Sequence, residues 1–306
     1  MRVMKTNLLA PLLCFAAALA AFAGTPADAA ARPEKRRVVA TFTVPADWAR
    51  NVAGAGADVV SLVPPDADNH AYSPSPGDLK KIREADVVFA ISPHFETWFG
   101  ALVREELRKN PEKFVFLGEP FVAETHAAHA HENAPCAHGA EDPHFWTDPA
   151  LVAGHCVPLI EKALGADGSR YRSELEAFVR EAREKLAKIP RERRRCVTYH
   201  NNFSHFAARF GFEIAGTILD SATTEAADPS AKRLARLAEK IRRERIPVFA
   251  DATASPRLPR VLAQNAGVPA PRTLRVDALG APGSPAGDYL GMMRENVAAL
   301  LAACAE

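Results

Sequence analysis

The sequence predicts an α/β fold: two similar lobes, each a parallel four-stranded sheet with helices, joined by a long rigid helix. Three observations carry this expectation. Strand-like runs come in two sets of four, segments with helical spacing lie between them, and residues 149–189 separate the sets without any strand signal. Alternating strand and helix implies parallel sheets covered by helices. The runs are short, β-branched or aromatic and nearly continuous in apolar character, which suits strands buried on both faces.

Taken in order, the chain opens on a segment to be set aside from the fold. Arg2 and Lys5 precede an uncharged apolar run from Leu8 to Ala23, and Ala27-Asp28-Ala29 supplies a small-x-small cleavage site. That order is a secretory signal peptide over residues 1–29, its apolar run shorter than the roughly 20 residues a spanning helix needs. Cys14 does not make a lipoprotein signal, because Leu13 stands where a small residue is expected. The mature protein is therefore expected in the periplasm, soluble after cleavage. An N-terminal lobe, 32–148, holds the runs Val38–Val44, Asp58–Val63, Asp86–Ile91 and Phe114–Leu117, with a helix over Phe95–Asn110. Linking helices occupy 149–190. There Gly168-Ser169 starts a helix whose Tyr171, Leu175, Phe178, Val179 and Leu186 recur at helical spacing until Pro190. A C-terminal lobe, 191–306, holds Cys196–Tyr199, Phe212–Ile218, Pro247–Ala250 and Thr273–Val276, with helices over Ser230–Arg245 and Ser255–Ala266.

Composition excludes some functions. Of 306 residues, 48% are apolar and 25% charged, an ordinary globular balance. Lys plus Arg number 38 against 37 Asp plus Glu, a formal charge of +1. No basic excess exists to neutralise phosphates, so neither a nucleic-acid binder nor a polybasic membrane-surface binder is expected. Export would place Cys136, Cys156, Cys196 and Cys304 in an oxidising compartment. Four thiols allow three full pairings, and Cys156 and Cys196 read equally well as buried free thiols.

The chemistry lies among the histidines. His70 follows the second strand-like run, His144 sits in the loop entering the linking region, and His200 directly follows Cys196-Val197-Thr198-Tyr199. Asp251 directly follows Pro247-Val248-Phe249-Ala250. An open α/β sheet places ligands beyond the carboxyl ends of its strands, so these four are the candidate metal ligands. Three imidazoles and one carboxylate suit Zn2+, at one high-affinity site. Each also has a structural reading, and for Asp251 it is a helix N-cap four residues before Ser255. His94, His155 and His205 are assigned structural roles, with His205 the competitor to His200.

At these residues the sequence resembles a known family, the cluster A-I solute-binding proteins that serve ABC transporters for zinc and manganese. The resemblance runs from Val38-Val39-Ala40-Thr41-Phe42 to the last helix. It rests on Asn69-His70-Ala71-Tyr72-Ser73-Pro74, Asp142-Pro143-His144-Phe145-Trp146, Thr198-Tyr199-His200 with Phe203, Phe206, Phe210 and Gly211, Val248-Phe249-Ala250-Asp251, and Tyr289 to Asn296. Asn69 departs from the proline usual before the first ligand. The resemblance implies a two-lobed receptor that binds one metal between the lobes and hands it to an ABC permease in the inner membrane. It implies a monomer, and it leaves room for a metallochaperone donor. Manganese members place a carboxylate at the third position, where this chain has His200, so the zinc type is expected.

His126, His129, His131 and His138 fall in a polar tract, the loop 124–141. Such a tract is a solvated loop and also an auxiliary, weaker metal site, as zinc members of the family often carry. Three alternatives stand beside the zinc receptor. A manganese receptor of the same family is one, and an exported zinc-dependent hydrolase is another. A hydrolase would keep an open position for water beside a general base, and no HExxH helix occurs, so no enzyme is expected. An adhesin is the third, and the lack of an anchor after cleavage counts against it.

Overall fold

The computed structural model describes residues 35–93, 95–122, 142–219, 221 and 229–305. The signal segment and the histidine-rich loop with Cys136 lie outside the described residues, as does His94. Among those described, no helix is long and apolar enough to cross a membrane.

All eight expected runs form strands. The first four are β1 (Arg36–Ala40), β2 (Ala57–Ser61), β3 (Val87–Ala90) and β4 (Phe114–Phe116), a parallel sheet in the order β2-β1-β3-β4. β1 stops earlier than its apolar run. Val44 belongs instead to α1 (Thr43–Ala53), whose Val44, Trp48 and Val52 continue the core at helical spacing. α2 (Pro76–Glu84) and α3 (Thr97–Lys109) complete this half. Buried Glu96 precedes α3 and joins two strand ends, accepting hydrogen bonds from Thr41 Oγ1 and from the Ile91 and Ser92 amides.

The linking region is mostly helical. α4 (Pro149–Leu151) passes through a π-helical turn at Val152–Cys156 into α5 (Val157–Leu164), which ends on left-handed Gly165. α6 (Ser169–Leu186) follows, burying Tyr171, Leu175, Phe178, Ala182 and Leu186 along one stripe. Its opposite face carries the Arg170–Glu174 and Glu181–Lys185 pairs, the i,i+4 pattern of a solvated surface.

The second half repeats the first. It contains β5 (Arg195–Thr198), α7 (Ser204–Phe210), β6 (Glu213–Thr217), α8 (Ala231–Glu244), β7 (Phe249–Asp251), α9 (Arg257–Ala266), β8 (Arg272–Leu274) and α10 (Tyr289–Ala305). Parallel ladders β5–β6 and β7–β8 meet through the Val197–Val248 bridge. The order is thus β6-β5-β7-β8, equivalent to that of the first sheet. The central joint is narrow: β5 shifts register between Cys196 and Val197, and the Val197 amide donates to the Pro247 carbonyl.

α8 and α9 cover one face of this sheet over Ile241, Ile246, Val248 and Leu262. Its other face joins a large core shared with the first half, where Cys196, Phe249 and Leu274 meet Phe42, Trp48 and Trp146. α10 belongs to that shared core through Tyr289, Met292, Met293, Val297 and Leu300. Cys156, Cys196 and Cys304 are free thiols and all are buried.

Candidate metal centre

Four side chains converge beyond the strand ends: His70, His144, His200 and Asp277, all buried, with one ligand atom of each within 4.8 Å of the others. His70 Nε2 lies 3.2 Å from His144 Nε2 and 3.6 Å from Asp277 Oδ1. His144 Nε2 is 3.2 Å from Asp277 Oδ1, and His200 Nε2 is 3.5 Å from Asp277 Oδ2. Tetrahedral ligands on bonds of about 2.0–2.1 Å stand roughly 3.3 Å apart, so these spacings fit one central ion. Both Asp277 oxygens and both His200 ring nitrogens lack any hydrogen-bond partner. Buried polar atoms left unpaired cost about 1–3 kcal/mol each, and a bound cation would account for three of these, His200 Nε2 and the two Asp277 oxygens.

Three of the four expected residues are thus brought together, and the fourth member is Asp277 rather than Asp251. Asp251 stands behind His200, its Oδ2 3.6 Å from Nδ1. Its oxygens are already engaged: Oδ1 accepts from the Thr253 amide and hydroxyl, and Oδ2 accepts from Asn202 Nδ2. This is the turn-capping role of an Asp followed two residues later by Thr. Asp277 met the same positional rule, because it directly follows the run Thr273–Val276. The competing local role of Asp251 was the signal that separates the two.

His70, His144 and Asp277 are held from behind. His70 sits on a turn in which its amide donates to Asp68 Oδ1. The neighbouring Asn69 donates through Nδ2 to the Asp277 carbonyl at 3.0 Å, and its own carbonyl accepts from Trp98 Nε1. His144 Nδ1 meets Asp142 Oδ1 at 2.7 Å, which directs Nε2 into the cluster. Asp142 also accepts from the His144 amide and, through Oδ2, from the Ser204 amide in the second half. His205 is occupied by the Asp142 carbonyl at 2.8 Å, so it does not compete with His200. Trp146 Nε1 donates to the Val276 carbonyl, Leu279 N donates to Thr43 Oγ1, and Asp66 N donates to the Leu279 carbonyl. The loop carrying Asp277 is thereby fastened to the first half. Phe95 forms an aromatic wall, its ring centroid 5.0 Å from that of His70 and 5.5 Å from that of His144.

The electrostatics follow from burial and pairing. Burial disfavours a charged His144, but Asp277 and Asp142 outweigh it and raise its pKa to about 10. Burial lowers His200 to about 3, so that ring is neutral. Asp277 is also opposed by burial, yet His144 and its neighbours hold it well below the usual carboxylate range. Burial and the nearby charge of Asp277 raise Asp251 to about 6.

Comparison with known proteins agrees with this architecture. The family model "Zinc-uptake complex component A periplasmic" matches residues 38–303. The manganese ABC transporter substrate-binding lipoprotein PsaA of Streptococcus anginosus is 29% identical over 308 residues, covering 96% of each protein. Its counterpart from Streptococcus mitis is 30% identical over 285 residues, covering 88% of this chain and 89% of that protein. Among solved structures, the periplasmic zinc-binding protein TroA from Treponema pallidum superposes with a TM-score of 0.71 at 26% identity, covering 89% of this chain and all of TroA. With the fold, the buried three-histidine, one-aspartate cluster and the matched span in hand, the chain belongs to the zinc-uptake component A family, the substrate-binding proteins of metal ABC transporters, which are receptors and not enzymes.

Proposed function

We propose that this protein is a high-affinity extracytoplasmic zinc receptor that delivers its metal to an ABC permease. His70, His144, His200 and Asp277 are the ligands in this reading, with Asp251 supporting His200. The observation that carries it is His200, a fully buried neutral imidazole with both nitrogens free of hydrogen bonds and Nε2 facing Asp277. It makes the donor set three nitrogens and one carboxylate. Zinc accepts four such ligands, whereas manganese favours oxygen donors. Segments 32–148 and 191–306 act as the two lobes around the metal, with 149–190 as the link. The protein works as a monomer, and a metallochaperone is a compatible donor.

A second reading is favoured by the streptococcal relatives, whose names specify manganese. Competition titration of chelator-stripped protein with both ions decides between them. Zinc is expected to bind tighter by several orders of magnitude. Equal or tighter manganese binding overturns the zinc assignment.

A further inference from the structure

Whole-chain charge near zero conceals a strong segregation. Between Ser221 and Arg272 stand ten Lys and Arg against five Asp and Glu, in a chain whose total is only +1, so the remainder is net negative. Among the described residues the acids of this segment are committed. Asp251 is buried, Glu239 pairs with Arg242, and Glu244 pairs with Arg195 and Arg243. Lys232 and Arg236 on α8, with Arg257 and Arg260 on α9, are exposed and have no carboxylate partner among the described residues.

These four lie toward the metal end of the molecule. Arg233, next to Lys232, donates to the carbonyl of Thr217, the last residue of β6, and so fixes the start of α8 at the carboxyl end of the sheet. α9 begins just after Asp251, which approaches His200. The opposite ends of both helices lie together, joined by Arg242 to Asn265 and Arg245 to Gly267. Neither helix has an acidic residue in its first turn, and basic residues there add to the positive end of the helix dipole instead of compensating it. Helix stability therefore does not explain their placement.

We infer that this basic face of α8 and α9 is an electrostatic contact with anionic phospholipid headgroups. The inference rests on the receptor reading above, because delivery to a membrane permease turns the metal end toward the bilayer. The charges are long, unpaired side chains spread over two neighbouring helices, which matches a diffuse layer of headgroups better than a set of fitted sockets. The near-zero total charge excluded such a surface only while the charge was taken as evenly distributed.

The test is flotation of the full mature chain with phosphatidylcholine vesicles, with and without phosphatidylglycerol. Binding is expected only to the anionic vesicles and should vanish at about 0.5 M salt, where screening lengths fall to a few ångströms. Replacing all four residues (K232Q, R236Q, R257Q, R260Q) should weaken it at least about a hundredfold, at roughly fivefold per charge. The control R104Q, R108Q, R180Q, R183Q removes equal charge from other exposed positions and should bind as the parent does. Equal loss in both variants, equal binding to neutral vesicles, or no binding to anionic vesicles each overturns the inference, the last leaving an acidic protein surface as the partner. Zinc titration of the same samples keeps the two readings apart: intact metal binding without vesicle binding defeats only the membrane contact.

Discussion

Asp251 is the last residue of β7 and Asp277 lies beyond the end of the neighbouring parallel β8, and their oxygens have opposite fates. Those of Asp251 are taken by Thr253 and Asn202, while those of Asp277 have no hydrogen-bond donor. Asp277→Ala should therefore lose more zinc affinity than the tenfold to hundredfold typical of a supporting residue, the range expected for Asp251→Ala. Titration against a chromophoric chelator measures both, and a larger loss in the Asp251 variant would reverse the assignment. At His200 the expected change is in selectivity. His200→Glu replaces a nitrogen with a carboxylate, so zinc should weaken, manganese should strengthen and the gap between them should narrow. The histidines were legible in the sequence because each sits at a strand end inside a distinctive motif. Asp277 is legible only as one of two strand-end aspartates, and the contacts that bring it into the cluster come from Asn69 and Trp146, far away in the chain.

At the scale of elements, strand existence was readable from apolar runs, and strand ends were not. Val44 is as apolar as Val38, but after Ala40 the chain turns into α1, whose packing decides the assignment. The narrow β5–β7 joint was equally hidden, because the register irregularity at Cys196 depends on pairing with β6. Close packing between elements makes one position particularly sensitive. A Cβ on Gly118, just past β4, would stand 2.6 Å from Ile91 Cγ2 and 2.9 Å from the Phe145 ring. Gly118→Ala is expected to cost about 1–3 kcal/mol by overpacking, read as a lower denaturation midpoint. Because Phe145 adjoins His144, zinc affinity should fall as well. An unchanged midpoint would mean that β4 and the ligand loop yield more easily than this geometry implies.

For the whole molecule, the cluster links metal uptake to protons. His144, raised to about 10, carries a proton at neutral pH, whereas a ligand imidazole must be neutral. Zinc binding should release about one proton, and affinity should rise up to tenfold per pH unit below pH 10. Calorimetry in buffers of different ionisation enthalpy counts that proton; zero release would show that His144 is already neutral. The sign for the metal-free fold is opposite. A folded-state value above the ordinary 6.5 contributes stability that is complete below pH 6.5 and lost as pH rises through about 10. Bound metal also stabilises the native state by mass action, about 2.7 kcal/mol when free metal exceeds Kd a hundredfold.

The fastening of the four ligand loops bears on which ions can enter at all. Asn69, Asp142, Trp146 and His205 cross-link these loops, and buried His144, His200 and Phe95 leave the cluster enclosed. Cross-links of this kind hold four buried ligand atoms within 4.8 Å of one another. Whatever occupies the site must shed nearly its whole hydration shell on the way in. Magnesium gives up water reluctantly and demands six ligands near 2.1 Å. Magnesium is therefore expected to be turned away by its own hydration, without any dedicated repulsive group.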